Sequence, residues 1–170
     1  MAECSENLKD KISFSSISQI GVVVRDIDEY LCIMESVLKV KPNVVVRIPN
    51  DTMTNQERHY YGESEDFSAM LAFFTFDTIQ LEIIQPLTGK SVWKDFLEKK
   101  GEGIHHIRFS IGDMAASDKH FASLGISKAQ DGYSTKNIEG LKWAYFDTEN
   151  KLGFFTEVIN DLENLSAFPK

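Results

Sequence analysis

The feature that most constrains this chain is an internal repeat. Residues 101 to 126, GEGIHHIRFSIGDMAASDKHFASLGI, can be laid on residues 17 to 40, ISQIGVVVRDIDEYLCIMESVLKV. Gln19 then falls on His106, Ile20 on Ile107, Val24 on Ile111 and Asp26 on Asp113. Each copy opens with a short alternating apolar run, which reads as a strand, and continues through an aspartate N-cap into a helical stripe. The far ends match as well: LEIIQ (81–85) resembles TEVIN (156–160), which sets Glu82 on Glu157. One structural unit is used twice, and each copy reads β-α-β-β-β.

The pattern predicts an α+β fold in which two βαβββ modules form a curled mixed sheet cup. Helices cover one face and the other face curls inward. Residues 14–88 form the first module and 103–160 the second. Residues 89–102 are a linking helix built on Val92, Trp93, Phe96 and Leu97, with Ser91 as its cap. Residues 1–13 read as a flexible lead-in and 161–170 as a C-terminal tail. Asp26 and Glu29 suggest a capping box, and Tyr30, Ile33, Met34, Val37 and Leu38 an inward stripe. Cys32 reads as a small core residue, and Phe121 and Leu124 as the inward side of the second helix. Residues 49–66 are polar with scattered aromatics and read as a long loop or irregular hairpin.

A net charge of -8 disfavours nonspecific nucleic-acid binding. Two cysteines give no disulfide framework. The N-terminus has no apolar signal region and no run reaches membrane-spanning length, so a cytoplasmic protein without a membrane partner is expected.

The repeat also groups four polar side chains: Gln19 and Glu82 from the first module, His106 and Glu157 from the second. On strict alternation Ile107, Phe109 and Ile111 face the helix, so His106, Arg108 and Ser110 face the other way. Leu81 and Ile83 likewise oppose Glu82. His105 is assigned to the face opposite His106 and left out of the group. A carboxylate in an apolar run is costly to bury unless paired or bound to a metal. Two carboxylates, an imidazole and an amide oxygen suit one divalent ion: Zn, Ni, Co, Mn, Fe or Mg. The alternative is that the two glutamates are partly exposed strand residues and His106 a satisfied hydrogen-bonder.

The repeated unit, together with QIGVVV at Gln19, LEIIQP at Leu81, GIHHI at Gly103 and GFFTEV at Gly153, resembles the vicinal oxygen chelate superfamily. The stretch from LEIIQP through FLEKKGEGIHHI is most similar to methylmalonyl-CoA epimerases. The resemblance implies one metal inside the cup, with ligand positions on Gln19, Glu82, His106 and Glu157. Epimerases usually carry His at the first of these. Glyoxalase I enzymes of the eukaryotic type carry Gln there, with Glu, His and Glu elsewhere.

The implied chemistry is proton transfer next to a carbonyl or thioester, by an epimerase or by a glyoxalase I-type lactoylglutathione lyase. Glu157 would be ligand and base, Glu82 the acid for the opposite face, and Arg108 a contact for a substrate carboxylate or a counter-charge to the acids. Glu57, Glu63 and Glu65 lie in the region of the epimerases' additional acid. A dioxygenase would carry a second His. A non-catalytic binder of the same fold would lack the metal shell. The implied partners are a small molecule, a CoA or glutathione thioester, and a second copy in a homodimer. Arg47, Arg58, His59, Lys128 and Lys136 are the available basic contacts; Tyr60, Tyr61, Trp93 and Tyr133 are candidates for a pocket mouth.

Overall fold

A computed structural model describes residues 12, 14, 16–49, 57–111, 113–133 and 142–159. The tail, Lys136 and all of the expected lead-in except residue 12 lie outside these residues. The first half contains β1 (Ile17–Val23), α1 (Ile27–Leu38), β2 (Val44–Ile48), β3 (Arg58–Tyr60), β4 (Glu63–Ser64), β5 (Ala69–Phe76) and β6 (Ile79–Pro86). Helix α2 (Val92–Lys100) links it to β7 (Gly103–Ser110), α3 (Met114–Ser123), β8 (Lys128–Tyr133), β9 (Lys142–Phe146), α4 (Glu149–Leu152) and β10 (Phe155–Ile159). Asp26 and Asp113 cap their helices as the repeat predicts, accepting from the backbone N–H of Glu29 and of Ala115 and Ala116. A single helical turn, α4, stands where only a turn was expected.

All ten strands lie in one mixed sheet, in the order β2-β5-β6-β1-β7-β10-β9-β8-β3-β4. The seam between the halves is the antiparallel pair β1–β7. Outside it, β6 runs parallel to β1 and β10 parallel to β7. The halves therefore meet within one chain, related by a local twofold axis through the seam. Within the segment expected as a long loop or irregular hairpin, the described residues 57–66 take the hairpin form. Strands β3 and β4 form a small hairpin from them, and β3 crosses to the far edge of the second half to pair with β8.

The sheet is strongly curled. Strands β5 and β9 are five spacings apart, about 24 Å on a flat sheet. Yet Phe67, just ahead of β5, packs its ring 6.5 Å from that of Trp143 on β9. The concave side holds a core of Val23, Phe73, Ile84, Tyr145 and Phe155, into which α2 inserts Val92, Trp93 and Phe96. Two further cores lie under the outer helices, one with Val22, Val24, Ile27, Met34 and Ile83, the other with Ile111, Phe121, Phe146 and Val158.

Helix α1 is rotated from its expected setting. It buries Ile27 and Met34 and packs Tyr30 and Leu31 against the sheet, leaving Ile33, Val37 and Leu38 exposed. The inward edge follows 27, 30/31 and 34, which is equally compatible with helical spacing. Cys32 and Leu124 are exposed as well, contrary to the core positions expected for them. Both helices are amphipathic, but which residues face inward depends on how each helix lies on the sheet.

Gly21 is the tightest point of the seam. It pairs with His106, and a Cβ added there would lie 1.8 Å from His106 Cε1. The ring lies across the glycine, so any side chain displaces it. Gly21→Ala is expected to destabilise the protein by about 1–3 kcal/mol in chemical denaturation. Adding His106→Ala should recover part of that loss, and strictly additive effects of the two changes would contradict the clash.

Candidate metal centre

The four grouped side chains converge. His106 Nε2 lies 3.2 Å from Gln19 Oε1, 3.2 Å from Glu157 Oε2 and 3.4 Å from Glu82 Oε2. All four residues are buried, His106 completely. The glutamates are therefore not partly exposed strand residues. The twofold explains the convergence. Gln19 is the Cα partner of Arg108 and Gly21 of His106, and each pair is the other's image in the repeat. Glu82 pairs with Gly21 and Glu157 with Arg108, again as images.

Strict alternation fails at two places, and both matter. The β1–β7 register shifts between Ile17 and Gln19, and again between Gly21 and Val22. Ser18 and His105 are left as the unpaired residues of two bulges. They occupy equivalent positions in the repeat, each immediately before a member of the cluster. The bulge brings His105 into the interior instead of onto the opposite face. Its ring stacks on Phe155 at 4.7 Å, and its Nδ1 lies 3.1 Å from His106 Nδ1. That contact orients the His106 ring, as the outer partners of metal-bound histidines commonly do. Ser18 accepts from Arg108 Nε at 3.1 Å.

Burial opposes charge on His106, but the Glu157 and Glu82 carboxylates outweigh it and raise its pKa to about 9. Burial pushes Glu82 up against the pull of His106, while burial and the charge of His106 push His105 well down. Arg108 is buried and its charge favours the ionised form of Glu82. His106 and Arg108 are the positive groups beside the two buried carboxyl groups.

The donor set fits a divalent ion. Glu82, His106 and Glu157 each offer a ligand atom, all within 4.8 Å of one another. Two ligand atoms roughly 2.1 Å from one ion lie about 3.0 Å apart at a right angle and about 3.4 Å apart at the tetrahedral angle. The separations from His106 Nε2 fall in that range. Gln19 Oε1 also faces the Glu82 and Glu157 carboxylate oxygens, and an ion at the centre would satisfy all three acceptors.

Other expected contacts are already engaged. Arg58 pairs with Asp66, His59 with Asp131, and Lys128 with both Asp118 and Asp131. Trp93 is buried in the core, and Tyr60 donates to Asp95 at 2.7 Å. Glu63 is exposed on the outermost strand and Glu65 accepts from the backbone of Lys90. Besides His105, two further residues absent from the sequence-based group sit beside it: Tyr145, its ring 4.9 Å from that of His106, and Gln80, which accepts from Gln19. Gln80 was detectable in principle, since it lies two residues before Glu82 on the same strand face. Tyr145 depends on β9 curling over the seam.

Residues 18–145 match the profile of the Glyoxalase/Bleomycin resistance protein/Dioxygenase superfamily. The uncharacterized protein YqjC of Bacillus subtilis (strain 168) is 32% identical over 99 residues, which are 55% of this chain and 66% of that protein. The match therefore spans slightly less than two thirds of that relative. Among solved structures, a hypothetical protein of Bacillus halodurans C-125 aligns with a TM-score of 0.60 and 20% identity over 87% of this chain and 95% of its own. A variant of Streptomyces coelicolor methylmalonyl-CoA epimerase, in complex with 2-nitronate-propionyl-CoA, aligns at 0.58 and 18% over 89% and 97%. The Mycobacterium tuberculosis methylmalonyl-CoA epimerase aligns at 0.56 and 19% over 89% and 91%. At these identities the structural likeness establishes a shared fold. The profile match covers most of the sequence, and the chain belongs to the glyoxalase/bleomycin resistance protein/dioxygenase superfamily.

Proposed function

We propose that the protein is a divalent-metal-dependent isomerase that moves a proton on the carbon next to a carbonyl or thioester, in the manner of a methylmalonyl-CoA epimerase. The observation that carries this reading is the buried convergence of Gln19, Glu82, His106 and Glu157 on the concave side of the seam. These four would hold the ion. When bound, it would polarise the substrate oxygens and stabilise an enolate.

Glu157 takes the proton from the α-carbon, and the C–H electron pair passes into the enolate. Glu82 stands at the twofold-related position on β6, so the two carboxylates approach from opposite sides of the seam. Glu82, whose carboxyl pKa burial pushes up, enters the step as the acid and gives its own proton to the other face, which inverts the centre; the substrate proton stays on Glu157, so the two carboxyl groups exchange roles. Arg108 is the cation beside the cluster that a substrate carboxylate would meet. The glyoxalase I-type reading draws on Gln19, since that family carries Gln, Glu, His and Glu at these positions. Either chemistry takes a small thioester or hemithioacetal in a homodimeric, cytoplasmic enzyme.

Glu157→Gln is expected to slow solvent-deuterium incorporation at the α-carbon of a substrate thioester by about 10²–10⁴-fold, with the fold retained. Mass spectrometry of methylmalonyl-CoA incubated in deuterated buffer with the metal-loaded protein reads this directly, and exchange at the parental rate would remove Glu157 from the role.

Metal loading should also release protons. Below about 9, His106 carries a proton that ligation through Nε2 must expel. Affinity is then expected to rise about tenfold per pH unit up to that point and to level off above it. Calorimetry at pH 7 in buffers of different ionisation enthalpy should show release of about one proton or more per ion. Binding without proton release would contradict a charged His106 in the metal-free protein.

A further inference from the structure

Gln19 and Gln80 are Cα partners across β1 and β6, and Gln19 Nε2 donates to Gln80 Oε1 at 2.5 Å. Both are buried. A primary amide can present either end to a site: the oxygen accepts and the NH2 donates. With Oε1 turned inward, Gln19 joins the other three donors 3.2 Å from His106 Nε2. With the NH2 turned inward, it donates to Glu82 Oε2 at 3.2 Å and Glu157 Oε2 at 3.0 Å. The first arrangement gathers lone pairs around a cation. The second fills the same space with donor hydrogens and ties up both carboxylates.

The outer end of the amide decides between them. Gln80 Oε1, accepting from the Gln19 NH2, holds the oxygen inward. A reversed Gln80 would offer its own NH2 and hold the oxygen outward, an arrangement that Arg108 Nη1, 3.3 Å away, also favours. We infer that Gln80 is a positioning residue that sets which end of the Gln19 amide enters the cluster. This inference rests on the metal-centre reading above.

The local twofold sharpens the point. The image of Gln80 is Phe155, which pairs with His106 and has no hydrogen-bonding end. In the second half His105 orients the ligand instead, through Nδ1. The repeat by itself therefore does not require a polar residue at position 80. Burying one without a partner would cost about 1–3 kcal/mol, and its visible partner is the Gln19 amide.

The test is Co2+ binding to the metal-stripped full-length protein, followed by calorimetry and by the visible spectrum of the bound ion. Gln80→Met keeps the length of the side chain and removes its strong acceptor. It should weaken Co2+ binding by about 10–100-fold and alter the ligand-field bands. Gln80→Glu keeps an acceptor at the same place and should bind within about threefold of the parent, or more tightly, with an unchanged spectrum. In a Gln19→Ala background, Gln80→Met should change affinity by less than about twofold, because Gln80 acts only through Gln19. If Gln80→Met fails to fold, the Gln80→Glu spectrum decides: altered bands overturn the inference. It is also overturned if Gln80→Met binds like the parent, or weakens binding equally with and without Gln19. A parental protein that binds no Co2+ defeats the metal-centre reading together with this one.

Discussion

The structure turns on two carboxylates buried beside an imidazole at the seam of two half-sheets. Taking an ion out of water costs several kcal/mol, and that cost stands unless partners of opposite charge and good geometry surround it. Glu82 and Glu157 have His106 between them, and Arg108 adds a second positive charge close by. Ser18 in turn holds Arg108. Gly21 has no side chain because the His106 ring occupies that volume. Each of these residues follows from the one before it, and none is explained by packing alone.

The twofold places the groups, and departures from it give them separate tasks. Identical carboxylates at image positions approach a bound group from two sides. Gln19 and His106 are also images, yet one is a neutral amide that can present either end and the other an imidazole that exchanges a proton. Their supports differ accordingly. Gln80 meets the amide, whereas His105 meets the imidazole and Phe155 packs against His105. Two paired bulges make this possible by turning Ser18 and His105 inward without disturbing the rest of the seam.

Around the cluster the cup is largely filled with aromatic side chains. Trp93 from α2 stacks on Trp143 and meets Tyr145 edge-on, so the linking helix is part of the core. Several basic groups that could meet a phosphate are held by carboxylates instead: Arg58, His59 and Lys128 all pair on or near the β8–β3 edge. Low dielectric around the cluster strengthens every charge within it. Among the described residues, no helix is long and apolar enough to cross a membrane.

Much of this is legible in the sequence. The repeat fixed the unit, the order of its elements and the helix caps at Asp26 and Asp113, because local hydrogen bonding and period-two alternation act over a few residues. It also grouped Gln19, Glu82, His106 and Glu157, because image positions in a repeat meet when the copies pair. What the sequence could not carry was set by contacts between distant segments. The phase of α1, with Ile33, Val37 and Leu38 outside, depends on how the helix lies on its sheet. The inward turn of His105 depends on a bulge opposite Gly21, eighty-four residues away along the chain. The crossing of β3 to β8 and the meeting of Gln19 with Gln80 likewise exist only once the sheet has formed. Sequence alternation determined which faces could be polar; tertiary pairing decided which atoms touch, because a shift of one residue in register moves a side chain to the other face.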